Sequence, residues 1–289
     1  MTSTQHSPYT DFTKEKLSRV ADISVKSATD GLGCSIYDMA MLPGDLLLLA
    51  DCNNQSVKLV DPASGQLLDQ LQLPGEPSRL CLLPVDRAAV IMPGKSVIQT
   101  ISVTMKKLSL QDVITIKAAC CCINNVNDYF VVGFENPAKV VLIDKKGKVY
   151  KSITAEFKNH TLFKHPKYIC VTNENTSKVI YVSDQGTKTI TRLSEELQVL
   201  QSFTDPLLKD PRGLVSVGGG QLLVVDYGWP SSSILNVLDV STGQVTSLLG
   251  QKENIRYTEC VAVSHTMGTV YVTDYINGCD IIRQYKFKY

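Results

Sequence analysis

LLLLADCNNQSVKLVD, residues 46–61, reads as a strand, an aspartate opening a polar turn, and a second strand. Short apolar runs bounded by Asp, Asn and Gly are the signals of a β-hairpin. The arrangement returns at 179–193 (VIYVSDQGTKTITRL) and 270–285 (VYVTDYINGCDIIRQY). The residues that follow the runs form a series. Asp51, Pro93, Glu135, Asp184, Asp226 and Asp274 are spaced 42, 42, 49, 42 and 48 residues apart, behind LLLLA, AAVIM, YFVVGF, VIYVS, LLVV and VYVT. A period of roughly 40–50 residues with several strands per unit predicts a β-propeller, here with six blades.

Working outward from 46–61, the first unit divides into IYDMAML (36–42), DLLLLA (45–50), SVKLVD (56–61) and QLLDQLQL (66–73). This predicts four antiparallel strands per blade, ordered from the axis to the rim. The turn between third and fourth strands repeats its chemistry at Asp61–Gly65, Asp144–Gly147 and Asp239–Gly243. Asp opens such a turn through its side chain and Gly closes it at positive φ. The last unit has three strands before Tyr289, whereas LSRVADISVK (17–26) alternates like a strand and belongs to no other unit. The expectation is that 17–26 is the outer strand of blade six, closing the ring and removing an exposed edge. Residues 17–289 then form a single propeller, preceded by a flexible segment, 1–16. The two longer spacings place extra residues in FKNHTLFKHPK (157–167) and GQKENIRYTE (250–259).

Composition narrows the function. A net charge of +1 gives no overall field for nucleic acid or an anionic membrane, so any such partner needs a local patch. No window is apolar for the roughly 18 residues of a spanning helix, and residues 1–16 carry no apolar targeting core. A cytosolic or nuclear protein without membrane attachment, monomeric as a propeller, is expected. Nine cysteines, several inside strands (Cys81, Cys120, Cys121, Cys122, Cys170, Cys260), behave as small buried hydrophobes and suit a reducing compartment. No C-x-x-C pair is present, so neither metal nor cofactor is expected.

The units resemble NHL-repeat propellers, as carried at the C-terminus of tripartite-motif proteins. The residues responsible are the three hairpins quoted above and the inner-strand entries HPKYICV (165–171) and DPRGLVSV (210–217). Units two and three depart from the pattern in lacking the aspartate. The resemblance covers essentially the whole chain. It implies a substrate-recognition domain of a ubiquitin ligase, with the RING elsewhere, since no RING pattern or coiled-coil heptads occur here.

Catalytic chemistry finds little support in the residues. Four histidines (His6, His160, His165, His265) are too few and scattered for a zinc lyase of this fold, no G-x-S-x-G elbow occurs, and Gly218–Gly220 falls in a hairpin turn rather than after a strand as a phosphate cradle does. No catalytic residue is nominated. The face built from the loops between second and third strands and between blades is more informative. By register it collects Arg79, Lys95, Lys117, Lys167, Lys188, Arg212 and Arg256 together with Phe134, Tyr227, Trp229, Tyr257 and Tyr275. Cations interleaved with aromatics suit a peptide or single-stranded RNA. Acids on the same face (Asp51, Glu76, Glu135, Asp184, Asp226, Asp274) dilute the positive field and favour a protein partner or degron over RNA. A channel-based small-molecule hydrolase is the third expectation. The lysines of 139–167 form a second basic stretch, read as a solvated outer hairpin that keeps an edge soluble.

Overall fold

The computed structural model describes residues 10–157, 160–174, 176–228, 233–253, 255–274 and 280–287. Six four-stranded antiparallel sheets are arranged as blades around one axis. Blade one comprises Ile36–Leu42, Leu46–Asp51, Ser56–Asp61 and Gln66–Gln72, and the next four repeat that order. In blade six, Val261–Ser264, Thr269–Thr273 and Ile281–Lys286 are completed by Ser18–Ser24, with Ile23 opposite Ile282. The ring therefore closes as the alternation of 17–26 predicted. The first strand of every blade touches those of its two neighbours, so the inner strands form an unbroken ring.

Each sheet packs both faces against adjacent blades. Leu223, Val225 and Val237 of blade five, for instance, interdigitate with Val261, Val270 and Val272 of blade six. Burial on both faces explains why second strands are continuous apolar runs rather than alternating ones; Leu47–Asp51 is wholly buried. The predicted turns form: Asp144 Oδ1 accepts from the amides of Lys146 (2.8 Å) and Lys148 (2.9 Å), and Asp239 Oδ1 from Ser241 (2.9 Å) and Thr242 (3.0 Å). Gly147 and Gly243 close these turns at φ +83° and +74°.

The aspartates of the repeat series face inward to their own loops. Asp184 Oδ2 accepts from the amides of Lys164 (2.8 Å) and His165 (3.0 Å), Asp226 Oδ2 from Lys209 (2.6 Å) and Asp210 (3.0 Å), and Asp51 Oδ1 from Ser35 (2.9 Å). Each carboxylate thus holds the chain that enters its blade's first strand. With Asp274, paired to Arg283, they are at most 1% exposed, so they contribute no charge to the solvent face. That corrects the expectation that they dilute the field there.

The extra residues of the longer spacings form local structure. Glu156–Phe157 and His160–Thr161 make a small hairpin, followed by Phe163 buried between blades three and four. Ile255 likewise plugs the blade five to six connection. Within the segment 1–16, Phe12 is fully buried against Phe287 and its amide donates to Gln221 Oε1 at 2.9 Å. The packed structure thus reaches back past the closing strand. Among the described residues, no helix is long and apolar enough to cross a membrane.

Candidate functional site

The first strands all begin at one end of the axis, where all six blades contribute to a mouth of about 420 Å³. Tyr37 comes from blade one, Arg79 from blade two, Cys121 and Glu135 from blade three, Lys167 from blade four, Arg212 from blade five and Glu259 from blade six. The floor is a guanidinium. Arg79, 6% exposed, donates to the Tyr37 carbonyl in one neighbouring blade, to the Lys167 carbonyl (3.3 Å) two blades away, and to Glu259 Oε2 (3.3 Å) two blades away in the other direction. Its guanidinium carbon also lies 5.4 Å from the centre of the Tyr168 ring. One side chain therefore spans the axis and ties four blades together. The planar fork of five donors suits this, because Nε, Nη1 and Nη2 each take a separate acceptor, two carbonyls and a carboxylate.

Beneath it lies Asp38, 1% exposed on the first strand of blade one. It accepts from the Met39 and Leu80 amides (2.8 Å each) and from the Tyr168 hydroxyl (2.6 Å). Burial pushes its carboxyl up to about 6, against the opposing pull of Arg79 and these hydrogen bonds. Burial outweighs the partners because a charge deep in the ring loses its hydration on every side.

Above the floor, both cations that line the mouth have an acid. Arg212 pairs with Glu259 and with Asp210 (3.3 Å), and Lys167 with Glu135 (2.7 Å). The Arg212 guanidinium also stacks 3.8 Å from the centre of Tyr227, which packs 5.9 Å from Tyr257. Gly213 permits this arrangement: a Cβ there would meet the Glu259 carbonyl at 2.8 Å and Cys260 Cα at 2.9 Å. Blades five and six are thereby close enough for Arg212 to reach Glu259.

The sequence-predicted residues divide into five groups. Arg79, Lys167, Arg212, Tyr227 and Tyr257 are brought together at or beside the mouth, although Arg79 is a buried strut rather than a surface cation. Lys95, Lys117 and Arg256 are exposed in loops of the same face. Lys188 is exposed but lines a separate cleft with Asp205 and Lys209. Phe134, expected as a contact aromatic, is 7% exposed and belongs to the core between blades two and three, with Lys139 over its ring at 5.1 Å. Its register sends the ring inward because alternate residues of a strand face opposite sides. Trp229 and Tyr275 lie outside the described residues. Sequence reasoning missed Tyr37, Asp38, Tyr168, Asp210 and Glu259. The one available signal was Asp38, a carboxylate set inside the apolar run IYDMAML.

A second polar cluster lies where the ring closes. Lys58, on the third strand of blade one, is 0% exposed. Its ammonium donates to Asp30 Oδ2 (2.6 Å), Asp51 Oδ2 (2.8 Å) and the Val25 carbonyl (3.0 Å), and lies 3.1 Å from Cys34 Sγ. Asp30, Cys34 and Asp51 are the one trio of metal-ligand type found among the described residues, but Lys58 sits among them as the chain's own cation. These partners raise its pKa although burial alone would lower it. Burial would raise Asp30, yet hydrogen bonds from Lys58, Ser27 and Gln70 bring it down to about 2.

No protein-family model matches the sequence, and no curated protein matches it. Solved structures similar to it bear unlike descriptions. A streptogramin B lyase shares 12% identity over 93% of this chain and 98% of its own, with a TM-score of 0.65. The β-propeller domain of Cps50 (Swd1) from Myceliophteria thermophila shares 13% over 87% and 82%, at 0.59. A protein of unknown function from Bacteroides caccae shares 15% over 80% and 86%, at 0.64. At these identities the likeness defines the class, an all-β six-bladed propeller, and does not extend to chemistry.

Proposed function

We propose that this chain is a non-catalytic recognition module that seats an extended segment of a protein partner on its axial mouth. The observation that carries the reading is the charge balance: Arg79, Lys167 and Arg212 each have a carboxylate partner at the mouth. Neutralised cations give little attraction to a phosphate backbone, whereas alternating charges and half-buried tyrosines suit the peptide unit and mixed side chains of a protein. The guanidinium across the axis also occupies the space in which a channel-based hydrolase would hold its substrate. The finer reading, a substrate-recognition domain of a tripartite-motif type ubiquitin ligase, rests on the sequence resemblance.

The test is a peptide-display selection on the purified chain, run beside titration with a randomised single-stranded RNA pool at two salt concentrations. Tyr37→Ala is the diagnostic variant, because the Tyr37 carbonyl, not its ring, receives Arg79. Selected peptides should lose about tenfold in affinity to that variant, and RNA should show no saturable binding near physiological salt. Saturable, salt-sensitive RNA binding that weakens in Lys95→Ala or Lys117→Ala would overturn the reading.

A further inference from the structure

An ammonium has three hydrogens to donate, and Lys58 has three oxygen acceptors in Val25, Asp30 and Asp51. Cys34 Sγ, at 3.1 Å, is a fourth neighbour beyond that number. The thiol has acceptors of its own, Asp30 Oδ2 at 3.5 Å and the Val25 carbonyl at 3.8 Å. Nitrogen and sulfur are thus held face to face by a cage of fixed oxygens. Both side chains are buried, and neither has a role at the axial mouth.

We propose that Lys58 and Cys34 form a covalent N–O–S bridge when the protein meets dioxygen. The step balances as Cys–SH + Lys–NH3+ + O2 → Cys–S–O–NH–Lys + H2O + H+. The O–O bond, the S–H bond and two N–H bonds break. One oxygen atom becomes the bridge through new S–O and O–N bonds, and the other leaves as water. Sulfur and nitrogen each give up two electrons, which together reduce the dioxygen. Asp30 and Asp51, in contact with the nitrogen, are placed to take the proton. Dioxygen is small and apolar, so the pair need not be open to bulk water. A cleft of about 340 Å³ lined by Thr29, Gly31 and Gln70 flanks Asp30, which accepts from Gln70 and lies 3.5 Å from the sulfur.

The position of the pair gives the bridge a consequence. Cys34 belongs to the linker between the closing strand Ser18–Ser24 and the first strand of blade one, whereas Lys58 lies on the third strand of blade one. The bridge would convert a noncovalent seam, held also by Lys26 to Asp280 (3.4 Å) and the Cys34 amide to Asp280 (2.8 Å), into a covalent clasp.

The experiment uses the full chain, purified under argon with a thiol reductant and then moved to air-saturated buffer. The bridge adds one oxygen and removes two hydrogens, a gain of about 14 Da, against about 16 Da for a sulfenic acid and about 32 Da for a sulfinic acid. Trypsin reports it independently. Residues 27–58 contain no internal Lys or Arg, so loss of cleavage after Lys58 fuses that peptide to 59–79. The expected result is the 14 Da product with Lys58 uncleaved, reversed by dithiothreitol, retained in Cys52→Ser, absent in Cys34→Ser, and accompanied by a higher denaturation midpoint. Cys52 is the other thiol in that peptide, so the two variants separate the sites. Oxidation of Cys34 in steps of about 16 Da with Lys58 still cleaved would overturn the proposal, as would an unchanged mass in air. If Cys34→Ser does not fold, the fragment spectrum of the unsubstituted chain decides between the same outcomes.

Discussion

At the axial mouth, a buried guanidinium reaches from its own blade to three others; at the ring seam, a buried ammonium is gripped by two carboxylates within 2.8 Å. Arg79 spreads its hydrogen bonds over two carbonyls and a glutamate that Arg212 shares, so no single contact dominates. Lys58 concentrates its charge on Asp30 and Asp51, which depend on it in return. The difference also sets the nearby carboxyls in opposite directions. Asp38 beneath the mouth rises to about 6 because burial outweighs its partners, and Asp30 at the seam falls to about 2 because its partners outweigh burial. Burial alone therefore does not decide the charge state of a group; Asp30 is bonded directly to the Lys58 ammonium, whereas the donors to Asp38 are two amides and a phenol.

Removing the seam cation breaks the comparison most severely. Lys58→Met leaves two buried carboxylates without their counter-ion and should cost about 3–5 kcal/mol by chemical denaturation. Arg79→Met should cost less, about 2–3 kcal/mol, because Glu259 keeps Arg212. Equal losses would mean that the sharing of Glu259 contributes nothing.

The pH dependence sharpens the contrast through its sign. Asp38, raised from the ordinary 3.8 to about 6, contributes stability that is present below pH 3.8 and lost as pH rises through about 6. Asp30, lowered to about 2, contributes stability present above 3.8 and lost as pH falls toward 2. Asp38→Asn should remove about 3 kcal/mol of pH-dependent change between about pH 4 and 6. Asp30→Asn should flatten the acid limb below pH 4 instead. Both are read from denaturation midpoints across a pH series, and a common slope change in the two variants would contradict the opposite shifts. The smallest effect belongs to the exposed pair Lys151 and Glu196, 3.5 Å apart, where Lys151→Ala should change stability by less than about 0.5 kcal/mol.

Much of the architecture was legible because it is written locally. Apolar runs such as LLLLA and VIYVS state their strand length, and the Asp to Gly turns at 144–147 and 239–243 carry their own closing chemistry. Even the closing strand could be found, since 17–26 alternates and has no other blade to join. The site was legible only in part. Arg212 and Lys167 follow the prolines that start their first strands and could be placed by register. Phe134 could not be distinguished from a contact aromatic, because its orientation depends on a register that a single residue reverses. Asp210 and Glu259 carry no local mark of the arginine they share.

The sequence by itself determined six blades, four strands in each, and the ring closed by its own beginning, because strand periodicity and turn chemistry act over a few neighbouring residues. Only the tertiary structure decided that Arg79 is a strut across the axis and that Lys58, an ordinary lysine in SVKLVD, is the cation of the seam. Those roles join residues 88 and 180 positions apart in one case and 28 in the other. They exist only once folding has removed the water between charges that the sequence never places side by side.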